Sequence, residues 1–144
     1  MLGNCTLFVI GGGQWSASWK NTKMWQREHA PETPAEMARD VEQLVQQVQR
    51  TAPSVRMWVR SVNYNPLGMA VLQCPQSEWR TPPLIDGYNF ALRQMLRHHE
   101  AVQFLDLDPI VGPMWDTAAD WNHYYGDVFS AEVAYILHAT LGSV

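Results

Sequence analysis

Basic residues are scarce and scattered: 10 Lys and Arg stand against 14 Asp and Glu in 144 residues. No basic stripe is available to follow a phosphate backbone, and the net charge of -4 argues against nucleic acid as the main partner. Also missing is any apolar run approaching the ~18–20 residues that a membrane span needs. Met1-Leu2-Gly3-Asn4 contains no basic residue, and the apolar run Leu7–Ile10 is too short for the core of a secretory leader. Cysteine is limited to Cys5 and Cys74, which could pair but define neither a disulfide framework nor a zinc site. Asn4-Cys5-Thr6 fits the glycosylation tripeptide, which matters only in a secretory compartment, so the compartment stays open.

What is present suits one globular domain with a single core. The hydrophobic fraction is 47%, and no internal repeat, low-complexity segment or linker interrupts the chain. Tryptophan is abundant, at seven residues. Any one of them can simply cover the core. Trp15, Trp115 and Trp121 can instead wall a pocket, where flat aromatic faces would stack on sugar rings.

The pattern alternates strand and helix. Leu7-Phe8-Val9-Ile10, bounded by Gly11-Gly12-Gly13, reads as a strand of a parallel sheet buried on both faces. Thr33-Pro34-Ala35-Glu36 opens a helix with a capping residue, a proline at the first position and a capping-box glutamate. Met37, Val41, Leu44, Val45 and Val48 mark its apolar face, and Pro53 stops it. Residues 55–62 form the second expected strand, and 63–83 a long Pro-rich loop. Asp86 is the expected cap of the next helix, with Tyr88, Leu92, Met95 and Leu96 facing the core and His98 and His99 at the surface. Residues 102–107 make the third strand, 109–125 a loop. Ser130 is expected to cap a last helix with an apolar face of Val133, Ile136, Leu137, Thr140 and Leu141, and with His138 in solvent. This order implies an α/β fold, a parallel sheet covered by helices in three α/β/α layers.

Chemistry concentrates near the end. Asp120-Trp121-Asn122-His123 sits before the last helix, and an Asp and a His at this spacing can form two members of a catalytic triad. The carboxylate would fix the imidazole tautomer, and His123 would take a proton from a nucleophile elsewhere. Asp116 competes with Asp120 for this role, and Asp120 can alternatively serve as a turn or cap residue. Ligands of open parallel sheets sit beyond the C-terminal strand ends. Gly11–Trp15, Arg60–Asn65 and the segment from Asp106 should therefore converge with Asp120 and His123 on one edge. Gly13 and Gln14 can surround an oxyanion or form a plain turn. Arg60 can bind an anionic group or make a structural salt bridge. Neither a G-x-G-x-x-G nor a phosphate-binding Gly-Lys-Ser/Thr loop is present.

Gly13-Gln14-Trp15 after one strand, Arg60-Ser61-Val62 after the next and Asp120-x-x-His123 before a last helix together resemble the SGNH/GDSL hydrolase superfamily, in particular its PC-esterase branch. That branch has Gly-His-Trp where this chain has Gly13-Gln14-Trp15, and an Arg-Thr-x-Ser-Pro-like sequence where Arg60-Ser61-Val62 stands. The resemblance implies a Ser-His-Asp mechanism on O-acyl, usually O-acetyl, esters of carbohydrate, with no metal cofactor. It maps this chain to roughly the last two thirds of such a domain, lacking the first strand or strands. The family's Gly-Asp-Ser nucleophile block does not occur in the sequence; Ser16 and Ser18 lie in no Gly-x-Ser-x-Gly context, and Gly126-Asp127 is followed by Val128. The expected function is thus the C-terminal part of a serine esterase or O-acyltransferase whose serine lies outside this chain. Under that expectation the chain alone is inactive, and the exposed edge of its first strand invites self-association. The alternative is a non-catalytic α/β module that binds a glycan or a protein.

Overall fold

The computed structural model describes residues 7–13, 16–17, 31–64, 81–117, 124 and 126–142. Three parallel strands, β1 (Leu7–Ile10), β2 (Arg56–Arg60) and β3 (Val102–Leu105), form a sheet in the order β1-β2-β3. Leu7 pairs with Arg56 and Ile10 with Val59 in one ladder; Met57 pairs with Val102 and Arg60 with Leu105 in the other. The helices are α1 (Pro34–Thr51), α2 (Pro82–Leu96), the short α3 (Asp108–Val111) and α4 (Asp127–Leu141), with a 3-10 segment at Gly112–Thr117. The architecture is α/β, with helices on both faces of a parallel sheet.

Side-chain alternation along the strands divides the core in two. Ile10, Met57 and Val59 join α1 and α2 residues such as Val45, Val48, Ile85 and Leu92. On the opposite face, Trp58 and Leu105 meet Val111 of α3 and Val128 of α4. The β1→β2 and β2→β3 connections thus place α1 and α2 side by side on one face, while α3 and α4 cover the other.

Local chemistry explains the start of α1. The Thr33 hydroxyl accepts from the Glu36 amide at 3.2 Å, and a Glu36 carboxylate oxygen accepts from the Thr33 amide at 2.8 Å. The helix ends at Thr51, two residues before Pro53, and Leu44 of its expected apolar face is exposed.

Several expectations are corrected. Helix α2 begins at Pro82, with Thr81 rather than Asp86 at the N-cap. A proline at the first helical position lacks only an N–H that would have no intrahelical partner there, so Pro82 starts the helix instead of prolonging the loop. Helix α4 begins at Asp127 after Gly126 at φ 61°, and Ser130 lies within it, its amide donating to Gly126 O at 3.0 Å. Its buried line is Val128, Glu132 and Thr140, whereas Val133, Leu137 and Leu141 are exposed. Finally, His99 is not a surface residue: its Nε2 lies 3.0 Å from Glu42 Oε1 with the side chain largely covered, joining the end of α2 to α1. His98 and His138 are exposed as expected. The third strand is shorter than expected, and α3 with the 3-10 segment occupies part of the expected 109–125 loop.

Candidate functional site

The C-terminal strand ends are stitched together by polar groups. Beyond β2, the Ser61 amide donates to Leu105 O at 2.8 Å, and the Ser61 hydroxyl accepts from the Leu107 amide at 2.9 Å. Ser61 is 1% exposed, so its hydroxyl extends the sheet and is unsuited to act as a nucleophile. The next residue, Val62, is held by Asn89 of α2: its amide donates to Asn89 Oδ1 at 2.7 Å, and Asn89 Nδ2 donates to its carbonyl at 3.0 Å. The Asn89 carboxamide thereby acts as a further strand where the sheet ends. Asn63 adds a second buried carboxamide to this exit.

The β1 exit lies directly against the β2 exit. Gly13 has φ +92°, and a Cβ there would sit 2.6 Å from Val62 Cγ2 and 3.5 Å from Tyr88 Cδ2. Only glycine combines that backbone conformation with that close approach. At Gly11 a Cβ would meet Arg60 Cδ at 2.9 Å. The glycine turn and the residues that end and follow β2 are therefore packed against each other. After the turn, the Ala17 amide donates to Gly13 O at 3.2 Å, and the Ser16 carbonyl accepts from the Glu32 amide at 3.1 Å.

Arg60 leans toward α4. Its Nη1 lies 2.5 Å from Glu132 Oε1, an ionic contact rather than a well-angled hydrogen bond, and its Nε donates to Ser61 O at 3.4 Å. Of the two roles open to Arg60, this geometry supplies the structural salt bridge, which fastens α4 to the end of β2.

Beyond β3 lies a second polar group. Asp106 Oδ2 pairs with Arg93 Nη2 at 2.6 Å, and its Oδ1 accepts from the Asp108 amide at 3.2 Å. Arg93 also stacks on Phe104, with its guanidinium carbon 4.8 Å from the ring centroid. Asp108 has a buried Oδ1 with no hydrogen-bond partner. Burial, then the charge of Asp106, push its carboxyl up to about 6 against a downward pull from Arg93, with a lesser upward push from Asp86. The Tyr64 hydroxyl donates to Asp86, and burial with that bond raises its pKa. The Tyr124 hydroxyl donates to Tyr64 O at 3.2 Å, and burial raises it to about 12. Both phenols therefore stay protonated donors at neutral pH.

Of the residues expected to form the site, Gly13 and Arg60 are described, and the structure brings their turns together. Gln14, Trp15, Asp120, Trp121 and His123 lie outside the described residues, as do Ser18 and the side chains of Trp115 and Asp116. Comparison with protein-family models and with curated proteins finds no match. Among the described residues, no group of three or more His, Cys, Asp or Glu side chains could hold a metal ion, and no helix is long and apolar enough to cross a membrane.

Sequence reasoning missed Asn89, the sheet-extending role of Ser61, the Tyr64–Asp86 bond and Asp108. Asn89 left a signal, because it is the polar member of the buried stripe Ile85, Asn89, Leu92 and Leu96. A polar residue inside an apolar helical stripe needs a buried partner. Nothing local marks Ser61 or Asp108, whose environments depend on β3 and α2 arriving alongside.

Proposed function

We propose that this chain is the C-terminal part of a serine esterase or O-acyltransferase of the SGNH type, acting on O-acyl, chiefly O-acetyl, esters of carbohydrate. His123 would be the general base and Asp120 the carboxylate orienting it. Gly13 and Gln14 would donate to the oxyanion, Trp15 and Trp121 would flank the sugar, and the serine would be supplied from outside these residues. The observation that supports the reading is the convergence of the β1 and β2 exits: Gly13 lies against Val62 at the C-terminal edge of a parallel sheet, the edge where such sheets generally take their ligands. The β3 exit joins them through Ser61 and Leu107. The buried, engaged hydroxyl of Ser61 supports a nucleophile from elsewhere. In such a mechanism His123 takes the serine proton as the serine oxygen bonds to the acyl carbon, then returns it to the departing sugar hydroxyl. Water or an acceptor alcohol subsequently releases the acyl group.

The test is hydrolysis of an aryl acetate and of an acetylated xylo-oligosaccharide. It compares the 144-residue chain with a version extended upstream to a serine-bearing segment, each beside its His123→Ala variant. The expected result is turnover only in the extended protein and its loss, by about 10³-fold or more, in the variant. Robust turnover by the 144-residue chain that depends on His123 would overturn the external serine. Turnover indifferent to His123 would overturn the Asp-His assignment. A non-catalytic glycan- or protein-binding module is the second reading, favoured by the structural engagement of Arg60 and Ser61. Saturable binding of the oligosaccharide without turnover in either form would establish it.

A further inference from the structure

The outward face of α4 is apolar along its length. Phe129, Val133, Leu137 and Leu141 recur every fourth residue; Phe129 is 59% exposed, Leu137 49% and Leu141 51%. Beside this ridge, the small exposed residues Ser130 and Ala134 leave a shallow groove. No Lys or Arg occurs in the helix, and of its two acidic residues Glu132 is turned inward onto Arg60. The remaining one, Asp127, stands in the first turn, and His138 stands in the last.

We propose that this face is the contact between two copies of the chain, with the α4 helices packed antiparallel about a two-fold axis near Val133. Three observations favour a second copy as the occupant. The face supplies both the ridge and the groove, so it complements itself, as an isologous contact requires. Asp127 and His138 mark opposite ends of the same helix, so antiparallel packing brings the carboxylate and positive helix end of each copy toward the imidazole and negative helix end of the other. Apart from these two residues the outward face of α4 carries no charge, so the contact sets no like charges opposite each other.

An anionic membrane is a poorer occupant, because such surfaces are held by Lys and Arg bordering the apolar face. A helix of 15 residues is about 22 Å long, and pairing two of them buries an area at the low end of specific interfaces, below about 1,200 Å². The dimer should therefore be reversible, with dissociation at roughly micromolar concentrations.

Analytical ultracentrifugation of the chain from roughly 1 to 200 µM, spanning that range, tests the proposal. The expected result is a shift from 16.4 kDa toward twice that mass as concentration rises. Ala134→Glu, which sets two carboxylates near the axis, and separately Leu137→Gln should stay monomeric throughout while keeping the wild-type far-UV circular dichroism spectrum. A chain that is monomeric at every concentration overturns the proposal. So does a dimer that both folded variants leave intact, which would move association to the β1 edge. Co-sedimentation of a monomeric chain with phosphatidylcholine vesicles would also overturn it, in favour of a lipid surface.

Discussion

Asn89 satisfies both backbone polar groups of Val62, accepting from its amide at 2.7 Å and donating to its carbonyl at 3.0 Å. The pair is buried and joins α2 to the exit of β2, where the sheet no longer supplies partners. Replacing Asn89 by Leu keeps the volume but leaves two buried groups unpaired, each costing about 1–3 kcal/mol. Asn89→Leu should therefore lose about 3 kcal/mol in urea unfolding. A loss below about 1 kcal/mol would show that water or backbone movement replaces the carboxamide.

Gly13 tests how tightly the β1 exit is fitted to the same point. Gly13→Ala forces a Cβ into Val62 at φ +92°, so strain and overpacking both apply. A loss of about 2–4 kcal/mol is expected from the two effects. Gly12→Ala, with nothing within 4 Å of its Cβ, should change stability by less than about 0.5 kcal/mol. In a double-mutant cycle, Val62→Ala should relieve the contact part of the Gly13→Ala cost and leave the backbone part. Additive effects at Gly13 and Val62 would refute the contact.

How far these relationships were legible depended on the range of the forces involved. The capping box at Thr33 and Glu36 is written within four residues and could be read directly. The sheet followed from apolar runs between amphipathic helices, because burying both sheet faces leaves few alternatives. Helix α4 was misread because its apolar periodicity selected Val133, Leu137 and Leu141, whereas the ion pair to Arg60 draws Glu132 into the covered stripe. That pair spans 72 residues (132 minus 60) and leaves no local trace. Asp86 looked like a cap because capping is the commonest use of an Asp before a helical pattern. Its actual partner is the hydroxyl of Tyr64 on another exit loop. Strand order alone puts the exits that carry Gly13 and Arg60 side by side, but Arg60's choice between anion and salt bridge needs the position of α4.

The Arg60–Glu132 pair can be dissected on the same logic. Glu132 is buried and Arg60 half-buried, so removing one partner strands the other charge away from full solvation. Arg60→Met and Glu132→Gln should each lose about 2 kcal/mol in chemical denaturation, less than for a fully buried pair. The double variant should recover a large part of the loss. If Arg60→Met leaves stability unchanged while Glu132→Gln lowers it, the guanidinium is not what holds α4 at this strand end. Arg60 would then be available to an anionic ligand.

Asp108 makes a prediction about pH. Its folded-state pKa is raised to about 6, chiefly by burial and then by Asp106, so the folded state binds this proton more tightly than the unfolded chain. Below the unfolded value of 3.8 the carboxyl is protonated in both states and the folded state carries no penalty from it. Between 3.8 and about 6 the folded state holds more protons, so stability falls as pH rises; above about 6 both states are ionised and the penalty is complete. The carboxyl is partly exposed, so solvent screening reduces the expected penalty to about 1 kcal/mol. Asp108→Asn imitates the protonated form at every pH. The stability difference between variant and wild type should be near zero at about pH 3.8, grow through that window and stay level above about pH 7, with the variant more stable. Urea unfolding midpoints of both proteins from about pH 4 to pH 8 provide the measurement. A difference independent of pH would mean that the carboxyl titrates normally in the fold. A variant less stable than wild type at neutral pH would mean that ionised Asp108 has a favourable partner at the strand edge.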